Sequence, residues 1–303
     1  MSEANRGARG VVPPQRPGMS EANRDGVGFI GLGQMGEPMA RHLTGRGLVV
    51  FDARADAVAP LVEAGARAAR SVAEVAAHCA LVSIMVRDDD QVREVAEEAI
   101  AAARPGTVLA IHSTIRAKTA EDLAEKARRY DIEVVDAPVS GGFMGASAGS
   151  LAVMVGGTPE AFERCREPFG DWADLVLHMG PVGAGTRTKL ARNLLHFVSF
   201  TAAAEAQRLA EASGVSLRKL GRIVRHTDAI TGGAGAIMLR PTTAPLEPDD
   251  DLYDILRHTR DLGEKDLSLA LELAGELGVD APFARLALER FGAGLGLAED
   301  TDG

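Results

Sequence analysis

From Val27 onward, short runs that are apolar at every position alternate with longer stretches whose apolar residues recur at helical spacing. The runs VGFIG, LVVFD, ALVSIMV, TVLAIH and IEVVD are separated by segments rich in Ala, Asp and Glu, among them MARHL and a helix near Val58–Ala64. A strand that is apolar on both faces must be covered on both faces, and helices between strands supply that cover. The pattern predicts a parallel sheet, and right-handed crossovers make it doubly wound. The runs LAVMVGG and LVLHMG extend the alternation to about Gly183.

Beyond Gly183 the alternation stops. A helix-rich segment runs from about Ala184 to Ser213, and Leu252–Leu277 and Phe283–Leu297 are amphipathic with few β-branched residues. Before Leu252 lies a loop, Thr231–Asp251, rich in Gly, Pro and Thr. The fold class is therefore α/β: an N-terminal doubly wound, Rossmann-like parallel sheet over residues 26–183, then an all-helical domain over 184–303. Residues 1–25 contain MSEANR twice, at Met1–Arg6 and Met19–Arg24, around a Pro/Gly/Arg-rich stretch. With no apolar core region this is no secretory signal, and a disordered tail is expected.

Composition narrows the function classes. The chain has 303 residues, 46% of them hydrophobic, enough for a sizeable core. A formal charge of −10 repels phosphate backbones, and no Lys/Arg run offsets it, so a nucleic-acid partner is not expected. The apolar stretch Leu194–Ala204 is interrupted by His196, Ser199 and Thr201 and is too short for a bilayer. Cys79 and Cys165 stand far apart, outside any CxxC pattern, and read as small buried hydrophobes in a reducing, cytoplasmic setting. No metal-ligand spacing is found.

The stretch GFIGLGQMGEPMA places Gly31, Gly33 and Gly36 in GxGxxG register directly after the first strand, with Gln34 and Met35 in the turn itself. Such glycines serve a tight turn, backbone approach to a pyrophosphate and helix-on-strand packing, and the helix N-terminus then faces the phosphates. Pro38 suits a first helical turn. Asp52 ends the second strand roughly 20 residues after Gly31, where a carboxylate binds the adenosine ribose. It would repel a 2′-phosphate, so NAD is favoured; Arg54, two residues on, leaves NADP possible.

Two further stretches carry candidate chemistry. DAPVSGG, Asp136–Gly142, follows a strand end, where parallel sheets bind ligands, and its Ser-Gly-Gly turn offers a hydroxyl and successive N–H groups to a carboxylate, or is a plain flexible loop. GTRTKLARN, Gly185–Asn193, opens the helical half. On a helix Lys189 and Asn193 share a face, His196 falls almost on the same line, and Arg192 flanks them. Lys189 is either a solvated residue or a base facing a substrate; His196 reads as a hydrogen-bonded core residue.

Four stretches in order, GLGQMGEPMA, DAPVSGG, GPVGAGTRTKLARN and GEKDLSLA, make the chain resemble the beta-hydroxyacid dehydrogenases, the family of 3-hydroxyisobutyrate dehydrogenase. The resemblance covers nearly everything from Val27 to about Leu297. It implies Lys189 as the catalytic lysine, Ser140, Gly141 and Gly142 as the substrate-carboxylate loop, and Asn193 as a residue that orients the substrate. It implies Thr114, in HSTI, near the nicotinamide and Lys265 reaching back to the cofactor; the bland alternative for Lys265 is a surface pair with Asp261. A small 3-hydroxy acid or its semialdehyde is the implied substrate and a homodimer or homotetramer the implied assembly. Hydride would pass between substrate and nicotinamide while Lys189 exchanges the hydroxyl proton, its pKa drawn down from an ordinary value near 10.4 by burial.

Departures from the family pattern bear on the substrate. Val86-Arg87, followed by Asp88–Asp90, replaces a usual leucine-proline pair, with Val86 still counted among the cofactor residues. Ala117 stands two residues after the isoleucine of HSTI in place of a usual proline, and His258 replaces a frequent aromatic. Arg192 replaces a small polar residue and is a candidate second contact to a substrate carboxylate. Imine reductases on the same fold usually lack the lysine, and a non-catalytic nucleotide binder would not need Lys189, Ser140 and Asn193 together.

Overall fold

The computed structural model describes residues 26–297. Strands β1 (Val27–Ile30), β2 (Val49–Phe51), β3 (Arg67–Ala68), β4 (Leu81–Ile84), β5 (Val108–Ile111) and β6 (Glu133–Asp136) form a parallel array in the order β3-β2-β1-β4-β5-β6. Helices α1 (Gly36–Arg41), α2 (Ala55–Glu63), α3 (Val72–His78), α4 (Asp89–Ala102) and α5 (Ala117–Arg128) connect them. Period-two alternation splits the strands other than the exposed β3 between two cores. Phe29, Val50, Ala110 and Val135 pack on one face, whereas Ile30, Val49, Leu109, Ile111 and Val134 pack on the other. This is the two-sided burial that the continuous apolar runs call for.

The sheet departs from the expected uniform direction after β6. Strand β8 (Leu151–Gly156) runs antiparallel to β6 and to the short β7 (Val139–Ser140), while β9 (Ala173–Gly180) lies parallel to β8. The cause is the connection. Helix α6 (Gly142–Ala148) has seven residues, about 10 Å, too short for a crossover that brings the next strand back in the same direction. Helix α7 (Pro159–Phe169), capped by Thr158, is long enough to restore the parallel β8–β9 pair.

The run Asp88–Asp90 is structural at its first two positions. Asp88 caps α4 by accepting the Gln91 N–H at 2.9 Å. Asp89 accepts the Arg116 N–H and the Thr119 hydroxyl at the start of α5, a helix whose own N-cap residue offers no side-chain bond. Burial raises the Asp89 carboxyl, but the Thr119 and Arg116 donors hold it below the usual carboxylate range.

The chain divides into two compact units between Leu190 and Ala191, inside helix α8 (Ala184–Ala212). The second unit also holds α9 (Leu217–Thr231), α10 (Tyr253–Glu276) and α11 (Pro282–Gly294). Glu205 caps α11, accepting the Phe283 and Ala284 N–H groups at 2.9 and 3.0 Å. A small core of Leu246, Leu256, Leu295 and Leu297 packs with Tyr253 and Phe291, while Leu194, Phe197, Phe200, Ile223, Ile230 and Leu269 stand exposed. The duplicated MSEANR lies outside the described residues.

Candidate functional site

The turn after β1 is built as its glycines require. Gly31 has φ +90°, and a Cβ there would lie 2.3 Å from the Met85 carbonyl oxygen and 3.1 Å from Val86 Cγ1. A Cβ on Gly36 would lie 1.9 Å from the Gly31 oxygen and 3.2 Å from the Phe29 ring, so α1 can start against β1 only with glycine. Gly33 differs: a Cβ there would meet nothing within 4 Å. Protein packing does not ask for that glycine, and the open space is what a closely approaching phosphate needs. Gln34 is exposed, Met35 is half-buried, and α1 has no side-chain cap to occupy its first N–H groups.

Asp52 stands one residue past β2 and is pinned to the same turn. One carboxylate oxygen accepts the Leu32 N–H at 2.7 Å and the other accepts the Arg54 N–H at 2.8 Å. Both oxygens keep lone pairs for further donors, such as sugar hydroxyls. The Arg54 guanidinium is mostly exposed, with Nε 3.6 Å from Asp52. Val86 is fixed to the β5 end by Ser113, whose hydroxyl donates to the Val86 carbonyl (2.7 Å) and accepts its N–H (2.9 Å). Thr114, next in the chain, is exposed at that loop. Gly31, Val86 and the Ser113 loop thus meet at the carboxyl ends of adjacent strands, where a doubly wound sheet binds its ligand.

Below that loop lies His112, 1% exposed and boxed by Phe29, Phe169 and Trp172. Its Nδ1 pairs with the Ala137 carbonyl at 2.8 Å and its Nε2 with Ser83 Oγ at 3.0 Å. A neutral ring that donates to Ala137 and accepts from Ser83 satisfies both. Burial pushes its pKa down to about 4, against the Ala137 bond. Ala137 follows Asp136 and leads into the Ser-Gly-Gly turn, so this histidine braces the base of that turn.

The turn and the lysine meet in the first unit. Ser140 is half-buried at the end of β7, and Gly141 and Gly142 have φ +134° and +63°. Gly141 also lies against Leu151, where a Cβ would come within 2.8 Å. Lys189, 9% exposed, donates from Nζ to the Val139 carbonyl at 2.6 Å, one residue before Ser140. It is no solvated helix-start residue. Asp136, wholly buried, accepts the Gly183 and Thr186 N–H groups, each at 2.6 Å. Burial pushes its carboxyl above the usual range, against the pull of those donors.

Asn193, Arg192 and His196 belong to the second unit. Asn193 is half-buried and accepts from the exposed Arg192 at 3.4 Å. His196 is not the hydrogen-bonded core residue expected: it is half-buried and packs at a tilt of 56° against Phe200, ring centroids 4.3 Å apart. Lys265 is exposed and pairs with Asp266 at 3.0 Å rather than with Asp261, which pairs with Arg260. Sequence reasoning gave no role to Asp136, His112 or Ser113. All three lie in the stretches DAPVSGG and HSTI, and a charged residue closing an apolar strand was the one available signal.

The comparisons with known proteins agree with the fold. Residues 26–180 match the family described as the NAD binding domain of 6-phosphogluconate dehydrogenase. Residues 183–302 match the NAD-binding family of NADP-dependent 3-hydroxyisobutyrate dehydrogenase. An uncharacterized oxidoreductase of Mycobacterium tuberculosis is 59% identical over 276 residues, covering 89% of this chain and 93% of the relative. The NAD-dependent L-serine dehydrogenase of Pseudomonas aeruginosa is 36% identical, over 88% and 90% of the two chains. A crystal structure from Mycobacterium avium 104, described as an oxidoreductase, superposes with a TM-score of 0.87 at 56% identity, covering 90% of this chain and 99% of that one. An imine reductase from Myxococcus stipitatus with NADP⁺ has a TM-score of 0.68 at 20% identity, over 89% and 96% of the chains, a likeness of fold.

A mostly parallel sheet with a glycine turn on its first strand, followed by a helical unit, defines a nicotinamide-dinucleotide-binding class of dehydrogenase. The chain belongs to the beta-hydroxyacid dehydrogenase family. Among the described residues no helix is long and apolar enough to cross a membrane.

Proposed function

We propose that this protein is an NAD-preferring oxidoreductase that interconverts a small 3-hydroxy acid and its semialdehyde, with Lys189 as the general acid/base. The observation that carries the reading is the buried Lys189 amine bonded to Val139, one residue from the Ser140–Gly142 turn. An amine held there, rather than in water, is in place to take or return a proton at a bound hydroxyl. Ser140, Gly141 and Gly142 bind the carboxylate in this reading, Asn193 orients the substrate and Arg192 adds a second carboxylate contact. L-serine, named for one relative, and 3-hydroxyisobutyrate, named for the matched family, are both 3-hydroxy acids, which supports the substrate class.

The cofactor fits the residues present. The open space at Gly33 and the uncapped start of α1 suit a pyrophosphate, and Gln34 and Met35 lie in that turn. In this reading Gly31, Gly36 and Val86 shape the turn that holds the cofactor, Asp52 accepts from its ribose hydroxyls, and Thr114 and Lys265 are further cofactor contacts. When bound, the nicotinamide supplies the hydride acceptor or donor. NAD is favoured because a 2′-phosphate would meet the Asp52 carboxylate, although Arg54 stands nearby. Lys189 argues against imine reduction. The exposed apolar residues of α8, α9 and α10 support a homodimer or homotetramer built on the helical unit. The buried thiols of Cys79 and Cys165 fit a cytoplasmic setting.

The test is a panel of 3-hydroxy acids with NAD⁺ or NADP⁺, read as reduced-nicotinamide absorbance. Turnover of at least one acid, faster with NAD⁺, is expected. Activity only on cyclic imines, or cofactor binding without turnover across a broad panel, would overturn the reading.

A further inference from the structure

Asp136 is built into the fold as more than a helix cap. Ser71, Asp88 and Thr158 are local caps, each accepting an N–H three residues onward. Asp136 instead reaches donors 47 and 50 residues away, at the first turn of α8. A local cap ends a helix; a distant one fixes the helix against another element. Glycines on both sides admit the contact. A Cβ on Gly156 would come within 2.3 Å of Asp136 Oδ1, and one on Gly185 within 2.2 Å of the Met154 oxygen and 2.5 Å of the Asp136 oxygen. A wholly buried carboxylate is costly to bury unless its partners are secured, and here both oxygens are engaged.

The same two segments are joined a second time. Three residues beyond Asp136 stands Val139, and one helical turn beyond Thr186 stands Lys189, whose Nζ donates to the Val139 oxygen. Strand end and helix start are therefore linked by two sets of hydrogen bonds one turn apart. We propose that Asp136 is a positioning residue for the Lys189 amine, locking the first turn of α8 to the end of β6 so that the amine stays at Val139, beside Ser140. The catalytic consequence rests on the reading of Lys189 as acid/base; the positional claim does not.

The test uses the full chain and two readouts. Trace acetylation with acetic anhydride, followed by mass spectrometry, gives the reactivity of Lys189 relative to the exposed Lys219. In Asp136→Asn, which keeps the volume but turns an amide toward one N–H, that ratio rises several-fold while circular dichroism and NADH affinity stay unchanged. In parallel kcat for the hydroxy acid falls tenfold or more. In a Lys189→Ala background, the turnover restored by added ethylamine is the same whether Asp136 is kept or replaced by asparagine, because a free amine does not depend on the α8 turn. Asp136→Ser, able to accept one N–H, takes the place of the asparagine variant if that one does not fold. An unchanged Lys189 labelling ratio in a folded variant overturns the proposal. A raised ratio together with full turnover in Lys189→Ala keeps the positional claim and sinks the acid/base reading instead.

Discussion

A lysine side chain is long and strongly hydrated, and it leaves water only where the fold gives it a partner. Lys189 has one in the Val139 carbonyl. His112 shows the same rule for a neutral group, since its two ring nitrogens are matched by Ala137 and Ser83. Its titration gives a stability prediction. With the folded pKa near 4 and the unfolded value at 6.5, the unfolded chain binds the extra proton between these limits. Stability therefore falls as pH drops from 6.5 towards 4, by about 3 kcal/mol from this residue at 1.36 kcal/mol per pKa unit. Urea denaturation across that range, native against His112→Asn, should show the acid-side slope shrink in the variant; equal slopes would contradict the assignment. Burial likewise pushes the Cys165 thiol up to about 12, so it should resist alkylation at about pH 8 until the protein unfolds. Labelling of the native protein at the rate of a free thiol would contradict this.

At the scale of elements, connections decide what the strand pattern leaves open. The strands β1, β2, β4, β5 and β6 and the glycine turn are legible in the sequence because the signals are local: apolar runs, Gly31 and Gly36 at fixed offsets, Asp52 one residue past a strand; β3, two exposed residues, carries no such signal. The direction of β8 was not, because it depends on the length of α6 rather than on any residue of β8. Nor was Asp136, whose partners lie far along the chain. Asp89 belongs here too, standing in at α5 where the family usually has a proline. Asp89→Ala should cost about 1 kcal/mol, the typical worth of a lost cap, read as a lower urea midpoint with the m-value unchanged. Gly185→Ala should be worse, since its Cβ would strike the backbone of β8 and of β6. Loss of several kcal/mol, or failure to fold, is expected there; a variant as stable as wild type would contradict the packing described.

For the whole molecule, the sequence separated a sheet unit from a helical one, and the division falls inside α8 because its first turns bond to the sheet. The helical unit has only a small core and leaves Phe197, Phe200, Ile230 and Leu269 uncovered. Analytical ultracentrifugation should give a dimer or tetramer at micromolar concentration; a monomer there would contradict the proposed assembly. The central claim is that the Lys189 amine exchanges the substrate proton, and one comparison tests it most directly. For the hydroxy acid turned over best, kcat of Lys189→Ala is measured beside the NADH dissociation constant of the same variant. The account predicts a fall in kcat of about 100- to 10,000-fold with NADH binding unchanged. Turnover at the wild-type rate would contradict it.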